Sequence, residues 1–327
     1  MLEKNGTLII TLDFELAWGV RDKKALENYR ENLLGVRSVI PRLLELFKEY
    51  NVHATWATVG FLFFENRDEL IEALPAKRPN YVNRRLCPYE HIRSIGKDEE
   101  EDPLHYASSL IKLIVSYPHQ EIASHTFSHY YCLEEGQDAD TFKEDLEAAI
   151  RAAARHNVSI ESVVFPRNQF NSDYISVCAE KGIKAYRGSP PSWIYKPRSE
   201  YEISRVVRAL RLVDSYVGVS GCGCYSLDPI ARDYPYNIRA SHYLRPYRKS
   251  LRVLEPLRLR RIRSELTHAA KRGLVYHLWW HPHNFGANAE RNLAFLRKTL
   301  DHYASLRDAY RMESLNMCEL AERLIRE

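Results

Sequence analysis

The stretch His125-Thr-Phe-Ser-His129 sets two imidazoles four residues apart. If the backbone makes one helical turn there, both rings share a face and can grip one metal ion. That spacing is common in loops that bind nothing, so it carries little weight alone. A second stretch, Thr7-Leu-Ile-Ile-Thr-Leu-Asp-Phe-Glu15, adds to it by offering an oxygen ligand. Two histidines and one carboxylate would hold a divalent ion and leave positions open for water and substrate, as in a catalytic site. Such an ion lowers the pKa of its bound water from about 15.7 toward 7. A second carboxylate can serve as general base, an arginine can keep that base ionised, and a further histidine can protonate a leaving amine. These parts describe hydrolysis of an amide or ester through a tetrahedral intermediate.

Strands and helices must bring these residues together. From Thr7 to Leu16 the residues alternate: Leu8, Ile10, Leu12, Phe14 and Leu16 face one way, and Ile9, Thr11, Asp13 and Glu15 the other. Two carboxylates on one inner face repel each other and are costly to bury, and a cation beside them removes that cost. A helix is expected from about Tyr29 to Tyr50, with Pro41 kinking or dividing it. A strand follows over Val52–Val59, and strand–helix–strand order implies a parallel pair. After a loop-rich stretch (Pro75–Asp102), helices are read near Leu104–Val115, Asp140–Arg155 and Ser172–Lys181. Strands are read at Glu121–Ser124, Ser162–Phe165 and Lys184–Arg187. The pattern loosens beyond Pro197, apart from a helix over Ser204–Tyr216 and a basic helix ending near Gly273. It returns with a strand over Leu274–Trp280 and helices near Arg291–Leu306 and Met317–Ile325.

The chain of 327 residues is 45% hydrophobic and 28% charged, as expected of a globular protein with a sizeable core. One elaborated domain spanning 1–327 is expected, with a basic helical segment at about 196–273 before the last barrel strand. No basic leader or apolar run long enough to span a bilayer is seen, so a soluble, cytoplasmic protein is expected. The six cysteines lack framework spacing and are read as reduced thiols. The net charge is only +4, yet Arg239–Arg272 holds eleven Lys/Arg against two Asp/Glu. That segment is either a solvated helix face or an anion site, for a phosphate-bearing substrate or peripheral contact with an anionic membrane. No nucleic-acid module is recognisable, and nothing fixes an oligomeric state.

Asp13/Glu15, His125/His129, Arg167, Arg187 and His281/His283 all fall at the C-terminal ends of predicted strands. In a parallel α/β barrel those ends share one face, where active sites form. At this point Thr11-Leu-Asp-Phe-Glu15, His125-Thr-Phe-Ser-His129, Phe165-Pro-Arg-Asn-Gln169 and His281-Pro together resemble the polysaccharide deacetylases of the NodB-homology superfamily. The wording around them is similar to a subgroup from surface-polysaccharide assembly. The resemblance spans roughly Thr7 to Gly286. It implies an α/β fold, a distorted (β/α) barrel of about seven parallel strands, and metal-dependent removal of acetyl from an N-acetylated sugar.

Carried over by motif, the resemblance implies Asp13 as base, and Glu15, His125 and His129 as ligands of a divalent metal. Zinc is expected first, with cobalt or manganese as alternatives. The reverse assignment of Asp13 and Glu15 stays open. His281 would be the acid and Arg167 the residue that orients the base. Trp18, Arg187, Trp193 and His283 are candidates for substrate contact, with His277 and His283 beside the site. The chain departs from the usual adjacent aspartates, since position 14 is Phe, and from the usual third motif. An acetylated carbohydrate, as a cytosolic sugar nucleotide or a lipid-linked glycan, is the expected substrate. Two other readings compete: a hydrolase opening a cyclic amide or imide, with or without metal, and a non-catalytic carbohydrate-binding relative.

Overall fold

The computed structural model describes residues 5–22, 26–199, 202, 204–230 and 233–326. Among them the strands are β1 (Thr7–Phe14), β2 (Ala54–Thr58), β3 (Gln120–Ser124), β4 (Ser162–Val163), β5 (Ala185–Gly188), β6 (Tyr236–Arg239), β7 (His242–Tyr243), β8 (Val275–Trp280) and β9 (Glu313–Ser314). The helices in the first half are α1 (Arg30–Tyr50), α2 (Arg67–Glu72), α3 (Ser108–Val115), α4 (Ala139–Ala154) and α5 (Ser172–Glu180). The second half adds α6 (Arg205–Val217), α7 (Glu255–Arg272), α8 (His283–Gly286), α9 (Ala289–Tyr310) and α10 (Met317–Arg326).

The sheet runs β6-β5-β4-β3-β2-β1-β8-β7, and β9 pairs with the start of β1. Every ladder is parallel, so all the C-terminal ends lie at one rim. The sheet curls into a distorted (β/α) barrel with eight strands on this path. Its two edges, β6 and β7, are joined by Ala240 and Ser241. The Ala240 N–H donates to Gly188 O on one side of the seam and the Ser241 N–H to His277 O on the other, both at 2.8 Å.

The alternation of β1 explains the layering. Leu8, Ile10, Leu12 and Phe14 face outward into a core shared with Val36, Ile40, Leu43 and Phe47 of α1. Ile9 faces inward among Ala57, Ala123, Val164, Ala185, Ile238 and Val275. Side chains this small let the sheet curl tightly. Met317, Leu320 and Leu324 of α10 join the same inner cluster. Each large apolar side chain buried this way contributes roughly 1.5–3 kcal/mol. The inner face is polar on both sides of this layer: Thr55 and Ser162 donate to Glu121 near the strand starts, and Thr11 begins the polar set toward the other rim.

Four expectations change. Pro41 does not split its helix, because α1 runs unbroken for 21 residues. The third helix starts at Ser108 rather than Leu104. The basic stretch also holds two barrel strands, β6 and β7, which at four and two residues are too short to show a period. Finally, α7 is a solvated basic face only in part: Arg260, Lys271 and Arg272 are exposed, but Arg258 is buried and bonded to Glu255, and Arg261 pairs with Asp214 and Glu265. No helix of the described residues is long and apolar enough to cross a membrane.

Candidate metal centre and catalytic groups

Glu15 lies one residue past β1, where the chain leaves the strand (φ −129°, ψ −17°). Leu16 then takes a left-handed turn, φ 45°. This turn swings the Glu15 carboxylate across the rim toward β3. His125 follows β3 directly, but the segment to His129 is not the helical turn expected. Thr126 and His129 both have positive φ, 63° and 59°. That conformation is costly for a β-branched threonine, and local bonds hold it. Thr126 Oγ1 accepts the Tyr130 N–H at 2.7 Å, and the Asp145 carboxylate of α4 accepts from the Phe127 and Ser128 N–H groups. Burial pushes the Asp145 carboxyl up to about 6, against the pull of these donors.

The loop brings both imidazoles onto Glu15. Its Oε2 lies 3.3 Å from His125 Nε2 and 2.9 Å from His129 Nε2. One ligand atom from each of the three residues lies within 4.8 Å of the others. His125 Nδ1 donates to Val164 O at 2.8 Å, which leaves the Nε2 lone pair directed at the cluster, as a metal ligand requires. Burial lowers the His129 pKa to about 4, despite the opposing pull of Glu15, so the ring is neutral at pH 7. Burial pushes Glu15 up, but His281, His125 and His129 outweigh it and hold the carboxyl well below its usual range. By donor type, tautomer and spacing, these residues fit a divalent ion.

Asp13 lies on the inner face of β1 and does not join that cluster. Arg187 of β5 holds it through two bonds, 2.6 Å from Nη1 to Oδ1 and 2.8 Å from Nη2 to Oδ2. Arg187 also donates to Thr11 Oγ1 at 2.9 Å and Asn168 Oδ1 at 3.1 Å, and lies 4.2 Å over the Trp279 ring. Burial pushes Asp13 up, but Arg187 and then His125 outweigh it and keep the carboxyl below its ordinary value. His281 closes the group, its Nε2 3.8 Å from Asp13 and 3.5 Å from Glu15. The Asn284 amide nitrogen lies 3.3 Å from His281 Nδ1. Nε2 is thus the ring nitrogen that faces the two carboxylates.

Several placements differ from the expectation. The arginine on Asp13 is Arg187, expected at the substrate, and not Arg167. Arg167 has φ 55°, and this left-handed turn sends it to Asp22 and Glu134, stacked 4.1 Å over Tyr131. Trp18 is fully buried, donates to His105 O and packs against Phe61, so it is core and out of a sugar's reach. Trp193 is 62% exposed and does not line the cavity next to His281. His283 is buried beside the cluster, 3.9 Å from Glu15, and His277 bonds Thr11 deeper in the barrel. Sequence reasoning missed Asn168, Asn284 and Asp145. Of these only Asp145 leaves a trace, as an acid on the apolar stripe of Phe142, Leu146 and Ala149.

His281, with a side chain 22% exposed, is the opening of this otherwise buried set. It leads into a cavity of about 380 Å³ lined also by Trp279, Tyr243 and Tyr195.

Residues 34–186 match the family model for polysaccharide deacetylase, a span with both histidines of the cluster but neither β1 nor β8. Among solved structures, a Mycobacterium smegmatis protein assigned to the polysaccharide deacetylases superposes with TM-score 0.59 at 16% identity, covering 100% of this chain and 92% of its own. A probable polysaccharide deacetylase from Pseudomonas aeruginosa PAO1 gives 0.56 at 13% identity, covering 97% and 90%. Puue allantoinase gives 0.53 at 12%, covering 98% and 91%. Likenesses at such identities are of fold. No curated protein matches the sequence.

Proposed function

We propose that this chain is a hydrolase of the polysaccharide deacetylase family, whose model matches residues 34–186, and that it removes the acetyl group from an N-acetylated sugar, either soluble or lipid-linked. In this reading Glu15, His125 and His129 hold a divalent ion, zinc in the first instance. When bound, that ion would polarise the acetyl carbonyl and acidify water. The chain's own groups do the proton work. Asp13, kept ionised and fixed in angle by Arg187, takes a proton from the attacking water. His281 in its imidazolium form gives its Nε2 proton to the sugar nitrogen as the C–N bond breaks, and is left as neutral imidazole. Acetate and the free amine leave.

The convergence on Glu15 carries this reading, with the Asp13–Arg187 pair beside it. A lone carboxylate among three imidazoles would be a costly buried arrangement with little structural return. The geometry supports this division of roles. Both Asp13 oxygens are engaged by one guanidinium, whereas Glu15 Oε2 faces two imidazole nitrogens. Arg187 takes the orienting role first given to Arg167.

The test is acetate release from a panel of N-acetylated sugars, with zinc, cobalt or manganese added to metal-stripped protein. Metal-dependent release that Asp13→Asn abolishes, with metal affinity retained, is the expected result. A protein that binds metal at the cluster and releases no acetate from any sugar would overturn the assignment. A metal-free protein that opens cyclic amides would favour the ring-opening alternative.

A further inference from the structure

We propose that the cavity beside His281 is an anion subsite that takes the phosphate or diphosphate of a phosphorylated N-acetyl sugar. The sugar in this proposal rests on the deacetylase reading, whereas the anion does not. Lys196, Arg198, Arg211 and Arg245 line the cavity, and no Asp or Glu lines it among the described residues. None of the four forms an ion pair among the described residues. Their bonds go to neutral groups: Arg198 to Trp193 O at 3.3 Å, Arg211 Nε to Ile194 O at 2.7 Å, and Arg245 Nη2 to Arg211 O at 3.1 Å. Arg167 also lines the cavity, but Asp22 and Glu134 compensate its charge.

This imbalance is local. A larger cavity of about 770 Å³ carries Asp22, Glu27 and Glu90 against Arg21, Arg84 and Arg85. In the smaller one, burial lowers the pKa of Arg211, with Arg198 and Arg245 adding repulsion. Burial lowers that of Arg245 too. Arg198, Arg211 and Arg245 are partly buried cations without a counter-ion, which is unfavourable, and a dianion or trianion would relieve them, with the exposed Lys196 adding its charge. Guanidinium forks suit phosphate oxygens in pairs. His242 also lines the cavity, and its buried Nε2 has no hydrogen-bond partner among the described residues.

Position links this cavity to the chemistry. His281 belongs to its wall and lies 3.5 Å from Glu15. In a 2-acetamido sugar 1-phosphate the acetamido and phosphate groups sit on adjacent ring carbons. One ligand can therefore reach both the reaction centre and the cavity. One of the two sequence readings of Arg239–Arg272 was an anion site, and of that segment's cations only Arg245 lines the cavity.

The test uses inorganic pyrophosphate, followed by calorimetry on the metal-loaded protein and on His129→Ala protein. Binding is expected in both, weakening with added salt. It should weaken about tenfold or more in Arg198→Ala/Arg211→Ala. The same loss is expected in Lys196→Glu, whose exposed site leaves folding intact. Affinity unchanged in these variants, or binding that vanishes with His129→Ala, would overturn the subsite. Acetate release is then compared among a 2-acetamido sugar, its 1-phosphate, its nucleoside diphosphate ester and its polyprenyl diphosphate in micelles. A phosphorylated form should be about tenfold or more faster than the neutral sugar, and whichever ester leads tells a soluble from a lipid-borne source. Equal rates across the panel would also overturn the proposal. If none releases acetate, the deacetylase reading fails, and pyrophosphate binding still decides the subsite.

Discussion

Gly19 offers a sharp test of the metal centre, because its one missing carbon is what gives Glu15 room. A Cβ built on Gly19 would lie 1.9 Å from Glu15 Cδ, and 2.1 and 2.3 Å from its two oxygens. Non-bonded carbons approach only to about 3.5 Å, so Gly19→Ala must push the carboxylate back by roughly 1.5 Å. Ligand bonds at such sites are about 2.0–2.2 Å with a tolerance near 0.2 Å, so a shift of that size ends ligation by Glu15. The clash is with a rotatable side chain and not with backbone, so the fold should tolerate it. Metal affinity should therefore fall by at least about 10–100-fold, while the melting temperature of metal-stripped protein stays close to wild type. A chelator-competition titration and metal-free thermal melts read the two effects separately. Gly35→Ala is the control: its Cβ would meet the Gly286 backbone at 2.5–2.7 Å. It should cost about 1–3 kcal/mol of stability and leave metal affinity alone. Wild-type metal affinity in Gly19→Ala would refute Glu15 as a ligand.

Arg187→Met leaves Asp13 buried without its cation and should cost about 3–5 kcal/mol in urea unfolding. Adding Asp13→Asn should recover part of that loss, and a purely additive pair would contradict the coupling. Asp145→Asn keeps the shape but removes the charge that accepts from Phe127, Ser128 and the Ser128 hydroxyl. It should cost about 1–3 kcal/mol and weaken metal binding through His129, as the same urea and chelator titrations would report. Asp102 gives a pH-dependent signature. Burial pushes its carboxyl up, but His105 and the Gly96 and Leu104 N–H groups hold it at about 2. A lowered carboxylate stabilises the fold fully above its unfolded value of about 3.9, and that support is lost as the pH falls toward the folded value. The gap in urea midpoint between wild type and Asp102→Asn should therefore narrow between about pH 4 and pH 2, and a gap constant over that window would refute the assignment.

The barrel and the strand face that carries Asp13 were legible because period-two patterns are local. β1 reads cleanly, and the same alternation places Arg187 on the inner face with Ala185 while Tyr186 faces outward. A lone cation on an inner strand face opposite a lone Asp could have identified the pair, and family motif order pointed to Arg167 instead. The placement of Arg167 depends on consecutive left-handed residues, Arg167 and Asn168 at φ 55° and 53°. No residue pattern announces such a turn when neither position is glycine. Trp18 misled in the same way: it adjoins the acidic motif in sequence, but the turn at Leu16 carries it into the core. The rings of His125 and His129 do meet, with centroids 5.1 Å apart, through a strained loop held by Asp145 rather than by helix periodicity.

The spacing of the two acids has its own logic. With acids at adjacent positions, strand alternation would send one of them outward, and at position 14 the outward place belongs to Phe14 in the core. Placing the second acid at position 15 keeps both on the inner side, where like charges two residues apart repel. The chain separates them by ending the strand between them. Asp13 stays in the ladder, paired with Ala57, and takes the guanidinium of Arg187. Glu15 turns out of the ladder and takes the imidazoles of His125 and His129, with His281 between the two acids. Arg187 thus serves Asp13 alone and His129 Glu15 alone, while His125 and His281 act on both. If one carboxylate is removed, the private partner of the other stays in place, so the proposed base and ligand can be dissected one substitution at a time.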